Sequence, residues 1–225
     1  MNHRTGHLIS HIQRLLHEHF GPLRWWPAES PFEVVVGAIL TQNTAWSNVE
    51  RAIANLKQAR VLAAKPLAAL TISQLEELVR PAGFFRQKAA RLHNLARHLS
   101  EDWGNDLAAF CGGPLDEARA RLLAVPGIGP ETADSILLYA ASRPSFVVDA
   151  YTRRIFERIG LLSGTESYDD IRTLFMQSIA EDVRAYNEYH AQIVQLAKSC
   201  CRKNRTSCHA CPLNHVCRTA TATGA

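Results

Sequence analysis

The sequence has no apolar run approaching the ~18 residues that cross a bilayer, and no leader pattern of charge, apolar core and small-residue cleavage site. A membrane-spanning helix is not expected, and the cytoplasm is the expected compartment. Sustained alternation of β-branched and polar residues is also missing, which argues against a sheet. Acid is absent from one end. Glu188 is the last carboxylate, and the stretch from Tyr189 to Ala225 carries Lys198, Arg202, Lys203, Arg205 and Arg218 with no Asp or Glu. The overall charge of +4 is therefore concentrated there, the rest holding 20 basic and 21 acidic residues. A basic end on a balanced protein suits a polyanionic partner, or serves only as a solubilising tail.

What is present reads as helix after helix. His7 to Phe20 is amphipathic and stopped by Gly21-Pro22, and Phe32 to Leu40 is apolar enough to be buried. Ser47 to Leu56 and Arg86 to Leu99 show helical stripes, and Ser73 with Glu76 reads as a capping box opening the helix that Pro81-Ala82-Gly83 ends. Ala133, Ile136, Leu137, Ala140 and Ala141 form a further stripe. Asp149 reads as the N-cap of a helix that Gly160 ends, Tyr168 to Lys198 holds one or two more, and the closing "TATATGA" reads as disordered. His3, His7 and His11, spaced by four, read as a solvated helix face. The fold class is all-α.

Two local patterns carry chemistry. Cys201, Cys208, Cys211 and Cys217 form C-x6-C-x2-C-x5-C, a density that suits zinc or an iron–sulfur cluster better than disulfides. Zinc ribbons usually pair two C-x2-C knuckles, and only one occurs here. Upstream, "VPGIGPETA" sets a tight turn between two helical patterns. Gly127 and Gly129 let the backbone bend and approach another chain with no Cβ in the way, Pro130 fits a first helical position, and the free N–H groups can hold a phosphate oxygen.

The cysteine spacing, the "VPGIGPETA" turn and "VVDAYTRRI" together resemble the endonuclease III superfamily of helix-hairpin-helix DNA glycosylases, over roughly residues 8 to 218. The resemblance implies two α-helical domains, 29–142 with the hairpin and 1–28 plus 143–225 with the cysteines. It implies a [4Fe-4S] cluster on Cys201, Cys208, Cys211 and Cys217 that fixes a loop presenting Arg202, Lys203 and Arg205 to phosphates. Asp149 matches the carboxylate on which the superfamily relies, where an anion stabilises the oxocarbenium character that builds on the sugar. "ILTQNT" resembles the segment whose glutamine, here Gln42, fills the gap left by an everted base. Phe84 in "PAGFFRQK" sits where a wedge is expected, among Arg80, Arg86, Lys88 and Arg91.

Trp25, Trp26 and Pro27 in "RWWPAE", with Trp46 after "TQNT", resemble the 3-methyladenine DNA glycosylase III branch, in which aromatics sandwich the flipped base. A purine methylated at N3 or N7 is cationic and is drawn to electron-rich rings by ~0.5–2 kcal/mol. An ordinary aromatic cluster is the bland alternative, and the chain departs from the best-known member of the branch by having the cluster cysteines. In bifunctional superfamily members the position of Glu131 is a lysine that forms a Schiff base, which a carboxylate cannot do. The expectation is a monomeric, monofunctional glycosylase acting on double-stranded DNA with damaged bases, nucleoid-associated if bacterial. It would excise alkylated purines with Asp149 and Glu131 in the catalytic site. The rivals are an enzyme for oxidised pyrimidines or mispaired bases, and a non-catalytic DNA-binding iron–sulfur protein.

Overall fold

A computed structural model describes residues 3–23 and 25–222. Thirteen α-helices run along it: α1 His3–Phe20, α2 Pro31–Leu40, α3 Trp46–Gln58, α4 Ala64–Ala68, α5 Ile72–Val79, α6 Phe85–Asp102, α7 Leu107–Phe110, α8 Leu115–Ala124, α9 Pro130–Ser135, α10 Ala150–Ile159, α11 Tyr168–Ser178, α12 Val183–Ser199 and α13 Arg218–Ala222. Among the described residues there is no strand, only an isolated antiparallel bridge between Cys201 and Thr206. No described helix is long and apolar enough to cross a membrane.

The chain divides into two compact units, Trp26–Arg143 and the two ends, up to Trp25 and from Pro144 on. In the continuous unit, α2 is buried from Glu33 to Leu40, as the apolar run from Val34 on requires, with the Glu33 carboxylate paired to Lys57 at 3.0 Å. Ser30 starts it by accepting from Glu33 N at 3.2 Å, with Pro31 in the first turn. Against it pack α3, α6 and α9. The capping box of α5 is Thr71 with Gln74, not Ser73 with Glu76, so the helix starts earlier than the sequence pattern suggested. Past α9 the chain winds on as a π-helical turn from Ile136 to Ala140, with Ala141 N bonded to Ile136 O at 3.0 Å. Ile136, Leu137 and Ala140 of the predicted stripe are buried there together with Leu138, while Ala141 is half-buried.

In the terminal unit, α1 packs on α11 and α12. Ser10 Oγ donates to Ser178 O at 2.5 Å, and Tyr189 OH to Ile9 O at 3.2 Å. Phe146 stacks on Phe175 with centroids 4.5 Å apart, and Phe156 meets Phe175 edge-on. Asp149 caps α10, and Gly160 ends it in the left-handed region at φ 91°. The tail expected to be disordered is partly ordered. Residues 219–222 lie in α13, Thr219 Oγ1 donates to Arg158 O at 2.9 Å, and Ala220 is buried; residues 223–225 lie outside the described residues.

Candidate functional site

The turn between α8 and α9 is braced from within. Asp134 is fully buried and accepts from Arg119 Nε at 3.0 and 3.2 Å, while Ile128 plugs the turn into the core. The two glycines differ. Gly127 has φ 95°, and a Cβ added there would lie 2.4 Å from Arg91 Cγ, so the fold itself demands glycine. Gly129 has ordinary extended backbone, and an added Cβ would meet nothing within 4 Å. The fold therefore requires glycine at Gly127, whereas at Gly129 the expected need for a bare backbone concerns only the approach of another chain. Glu131, exposed, is the second residue of α9.

Gln42 follows α2 on a turn in which Asn43 has φ 53°. Its Nε2 donates to Thr132 Oγ1 at 2.6 Å, and its Oε1 accepts from the Arg91 guanidinium. Phe84 is 59% exposed and held in the left-handed region at φ 46°, unusual for an aromatic residue. Of the cations expected to surround it as phosphate contacts, Arg86 is exposed and adjacent, its guanidinium 5.8 Å from the Phe85 ring centroid. Arg80 is bound to Glu77 and stacks on Phe85. Lys88 is buried: its Nζ donates to Ala82 O at 2.8 Å, and burial and the nearby Arg91 push its pKa down. It pins the turn behind Phe84 and cannot reach a phosphate from there.

Trp26 lies on the glycine floor of α2, where a Cβ at Gly37 would come within 3.1 Å of its ring. It meets Trp46 edge-on, with centroids 5.2 Å apart and planes at 80°, and Tyr139 from the π-helical turn at 5.3 Å. Trp46 Nε1 donates to Glu50 Oε1 at 2.9 Å. Rings placed like this touch each other; admitting a flat base between them requires one indole to swing aside. Pro27 is exposed. Trp25 belongs to the terminal unit, where Lys198 Nζ sits 5.4 Å from its ring centroid.

Asp149 Oδ1 accepts from Thr152 N at 2.7 Å and Thr152 Oγ1 at 2.9 Å, and Oδ2 lies 3.5 Å from His190 Nε2. Burial pushes this carboxyl up, but His190 and the two Thr152 donors outweigh it and hold it below the usual range. His190 and Tyr139 are the neighbours that sequence reasoning missed. One histidine among ten carries no local signal, and Tyr139 reads as part of an apolar helix.

Cys201, Cys208, Cys211 and Cys217 line one small cavity together with Cys200 and Arg158. Among the described residues, no group of three or more Cys, His, Asp or Glu side chains is placed to hold a metal ion. Arg158 donates to Cys201 Sγ at 3.2 Å, Arg202 O at 2.8 Å and Lys203 O at 2.9 Å, while Arg154 donates twice to Cys201 O. The loop carrying the exposed Arg202, Lys203 and Arg205 is thus held by its backbone, leaving Lys203 and Arg205 side chains outward. Cys111, buried elsewhere, has its thiol pushed up to about 11 by burial, the state of an inert packing group.

Residues 36–181 match the HhH-GPD superfamily base excision DNA repair protein family. A Methanocaldococcus jannaschii protein provisionally named a DNA repair glycosylase is 46% identical over 219 residues, covering 96% of this chain and 99% of its own length. The solved H. pylori 3-methyladenine DNA glycosylase bound to 1,N6-ethenoadenine is similar at 30% identity and TM-score 0.72, over 86% of this chain and 97% of that one. A non-covalent endonuclease III–DNA complex shares the fold at TM-score 0.83 and 21% identity, over 97% of this chain and 98% of that one. Helical fold, braced hairpin turn and sequence match agree, and the chain belongs to the HhH-GPD superfamily of base excision repair DNA glycosylases.

Proposed function

We propose that this protein is a monofunctional DNA glycosylase that hydrolyses the N-glycosidic bond of alkylated purines and leaves an abasic site. The observation that carries the substrate class is the group of Trp26, Trp46 and Tyr139 on the Gly37 floor, three electron-rich rings able to accept a cationic base once one indole turns. The likeness to the H. pylori enzyme, 3-methyladenine glycosylase by name, supports it. Asp149, kept ionised in a largely buried site, would stabilise positive charge building on the sugar. Glu131 replaces the amine a lyase needs, so water is the nucleophile. The protein acts as a monomer on damaged double-stranded DNA, in the cytoplasm or on the nucleoid.

The cysteine cavity fits a [4Fe-4S] cluster by its donors. A zinc ribbon usually pairs two C-x2-C knuckles, and the run from Cys201 to Cys217 holds one. The four thiols line a shared cavity, and a guanidinium supplies a hydrogen bond to one sulfur. The cluster's contribution is to cross-link the loop; no step of base release passes through it. Protein purified without air is expected to carry about four irons per chain, and stoichiometric zinc with no sulfide would exclude the cluster.

Lys198 beside Trp25 favours a second reading, because a cationic base stacking there would meet an ammonium already in place. That ring suits a neutral base, as an enzyme for oxidised pyrimidines or mispairs would bind. Chromatography of bases released from methylated, oxidised and mispaired duplexes decides. The proposal expects methylated purines; release from the other two substrates alone overturns it.

A further inference from the structure

One face of α6 connects the elements placed at the DNA. Lys88 fixes the carbonyl of Ala82, behind the turn that projects Phe84. Three residues on, the aliphatic stem of Arg91 fills the space where a Gly127 Cβ would sit, with Cγ, Cδ and Cβ 2.4, 3.3 and 3.4 Å from that point. The Arg91 guanidinium donates to Gln42 Oε1, and Gln42 Nε2 donates to Thr132 Oγ1 on α9. An amide has one accepting and one donating end, so occupying both fixes which way it faces. Asn94, one turn further along α6, adds a bond to Pro126 O at 3.2 Å. A single arginine therefore joins the Gln42 turn to the hairpin turn.

We infer that Arg91 is a positioning residue for base eversion: it locks Gln42 to the hairpin, so that the gap-filling amide and the phosphate-gripping turn meet DNA as one piece. The inference rests on the proposed entry of Gln42 into the duplex. A side chain held in place before binding loses less rotamer freedom when it inserts, which favours the gapped duplex over an intact one. An arginine that only touched phosphate would act on every duplex alike and independently of Gln42.

The test is a double-mutant cycle on the full chain, read as affinity for a duplex holding a tetrahydrofuran abasic analogue and for the undamaged duplex. Urea midpoints establish that each variant is folded. Arg91→Met keeps the stem on Gly127 and loses the fork; Arg91→Lys keeps stem and charge, and carries the same cycle if the methionine variant does not fold. Gln42→Ala and Arg91→Met are each expected to weaken analogue binding roughly tenfold, and the double variant no more than Gln42→Ala alone. Undamaged binding should change by less than about threefold. Multiplicative losses in the double variant, or equal losses on both duplexes, overturn the role of Arg91 while leaving Gln42 in place. If Gln42→Ala changes nothing, the gap-filling assignment itself fails and the inference with it.

Discussion

At position 149 one carboxylate serves two neighbours, capping α10 through Oδ1 and facing His190 through Oδ2. These roles separate on substitution. Asn caps helices about as well as Asp, so Asp149→Asn should keep the α10 cap and stay folded, losing from the urea midpoint only what the charge gains from its His190 and Thr152 partners. It removes the anion, and single-turnover base release is expected to fall by ~100-fold or more. Normal release from the folded variant would show that Asp149 is a cap and nothing else. Because its pKa is held down, the carboxylate should stay charged as pH falls, and its capping contribution, present above the ordinary value near ~3.9, is lost only below it. An acid limb of the rate profile that titrates well above that value belongs to another group. Glu131→Gln should retain a measurable fraction of activity. Borohydride should trap no covalent complex with wild-type protein, and strands should break only after alkali; efficient trapping would reveal an amine nucleophile.

Within the helix–turn–helix element, the two glycines should part company. Gly127→Ala forces a side chain into the left-handed region and onto Arg91, a cost of ~1–3 kcal/mol visible in the urea midpoint. Gly129→Ala should cost no more than ~0.5 kcal/mol of stability, yet weaken binding to any duplex, since its Cβ would meet nothing within 4 Å among the described residues and points to a contact outside the protein. Unchanged duplex affinity in Gly129→Ala would remove this part of the turn from the interface. Elements of this kind were legible because their signals are local: the apolar run of α2, the Asp149 cap, the Gly160 stop and the cysteine spacing need no knowledge of the rest of the chain. Illegible features depend on distant partners. Lys88 reads as a surface cation until Ala82 O claims it, "ILLYA" reads as α-helix until packing shifts its hydrogen bonds, and Thr71 outcompetes Ser73 although both fit a capping pattern. The geometry of Trp26 against Trp46 was equally hidden, since the sequence shows which rings exist but not their tilt.

Across the molecule as a whole, positive charge is weighted toward the acid-free end, and its loop is tied down by Arg154 and Arg158 through carbonyls and one sulfur. Truncating its three cations should therefore leave the Arg154 and Arg158 bonds in place and remove from the loop the bond of Arg202 Nε to Lys198 O. The combined Arg202→Ala, Lys203→Ala and Arg205→Ala variant is expected to lower the slope of log affinity against log salt by ~2–3 for undamaged duplex, without changing which base is released. An unaltered slope would mean these charges only balance their surroundings. The division of the chain has a different consequence, in time. The unit Trp26–Arg143 is continuous and carries its own core, whereas α1 packs on α11 and α12, which begin at Tyr168 and Val183. A ribosome adding ~5–20 residues per second takes roughly 7–30 s to travel from the end of α1 to the start of α11. During that interval Ile9, Ile12 and Leu16, fully covered in the finished protein, have no partner helix to cover them. The continuous unit is finished once Arg143 is made, about 25 residues before Tyr168, so for the last ~1–5 s of that interval the newborn chain is a completed core preceded by an uncovered amphipathic helix, and a holding chaperone has something to hold.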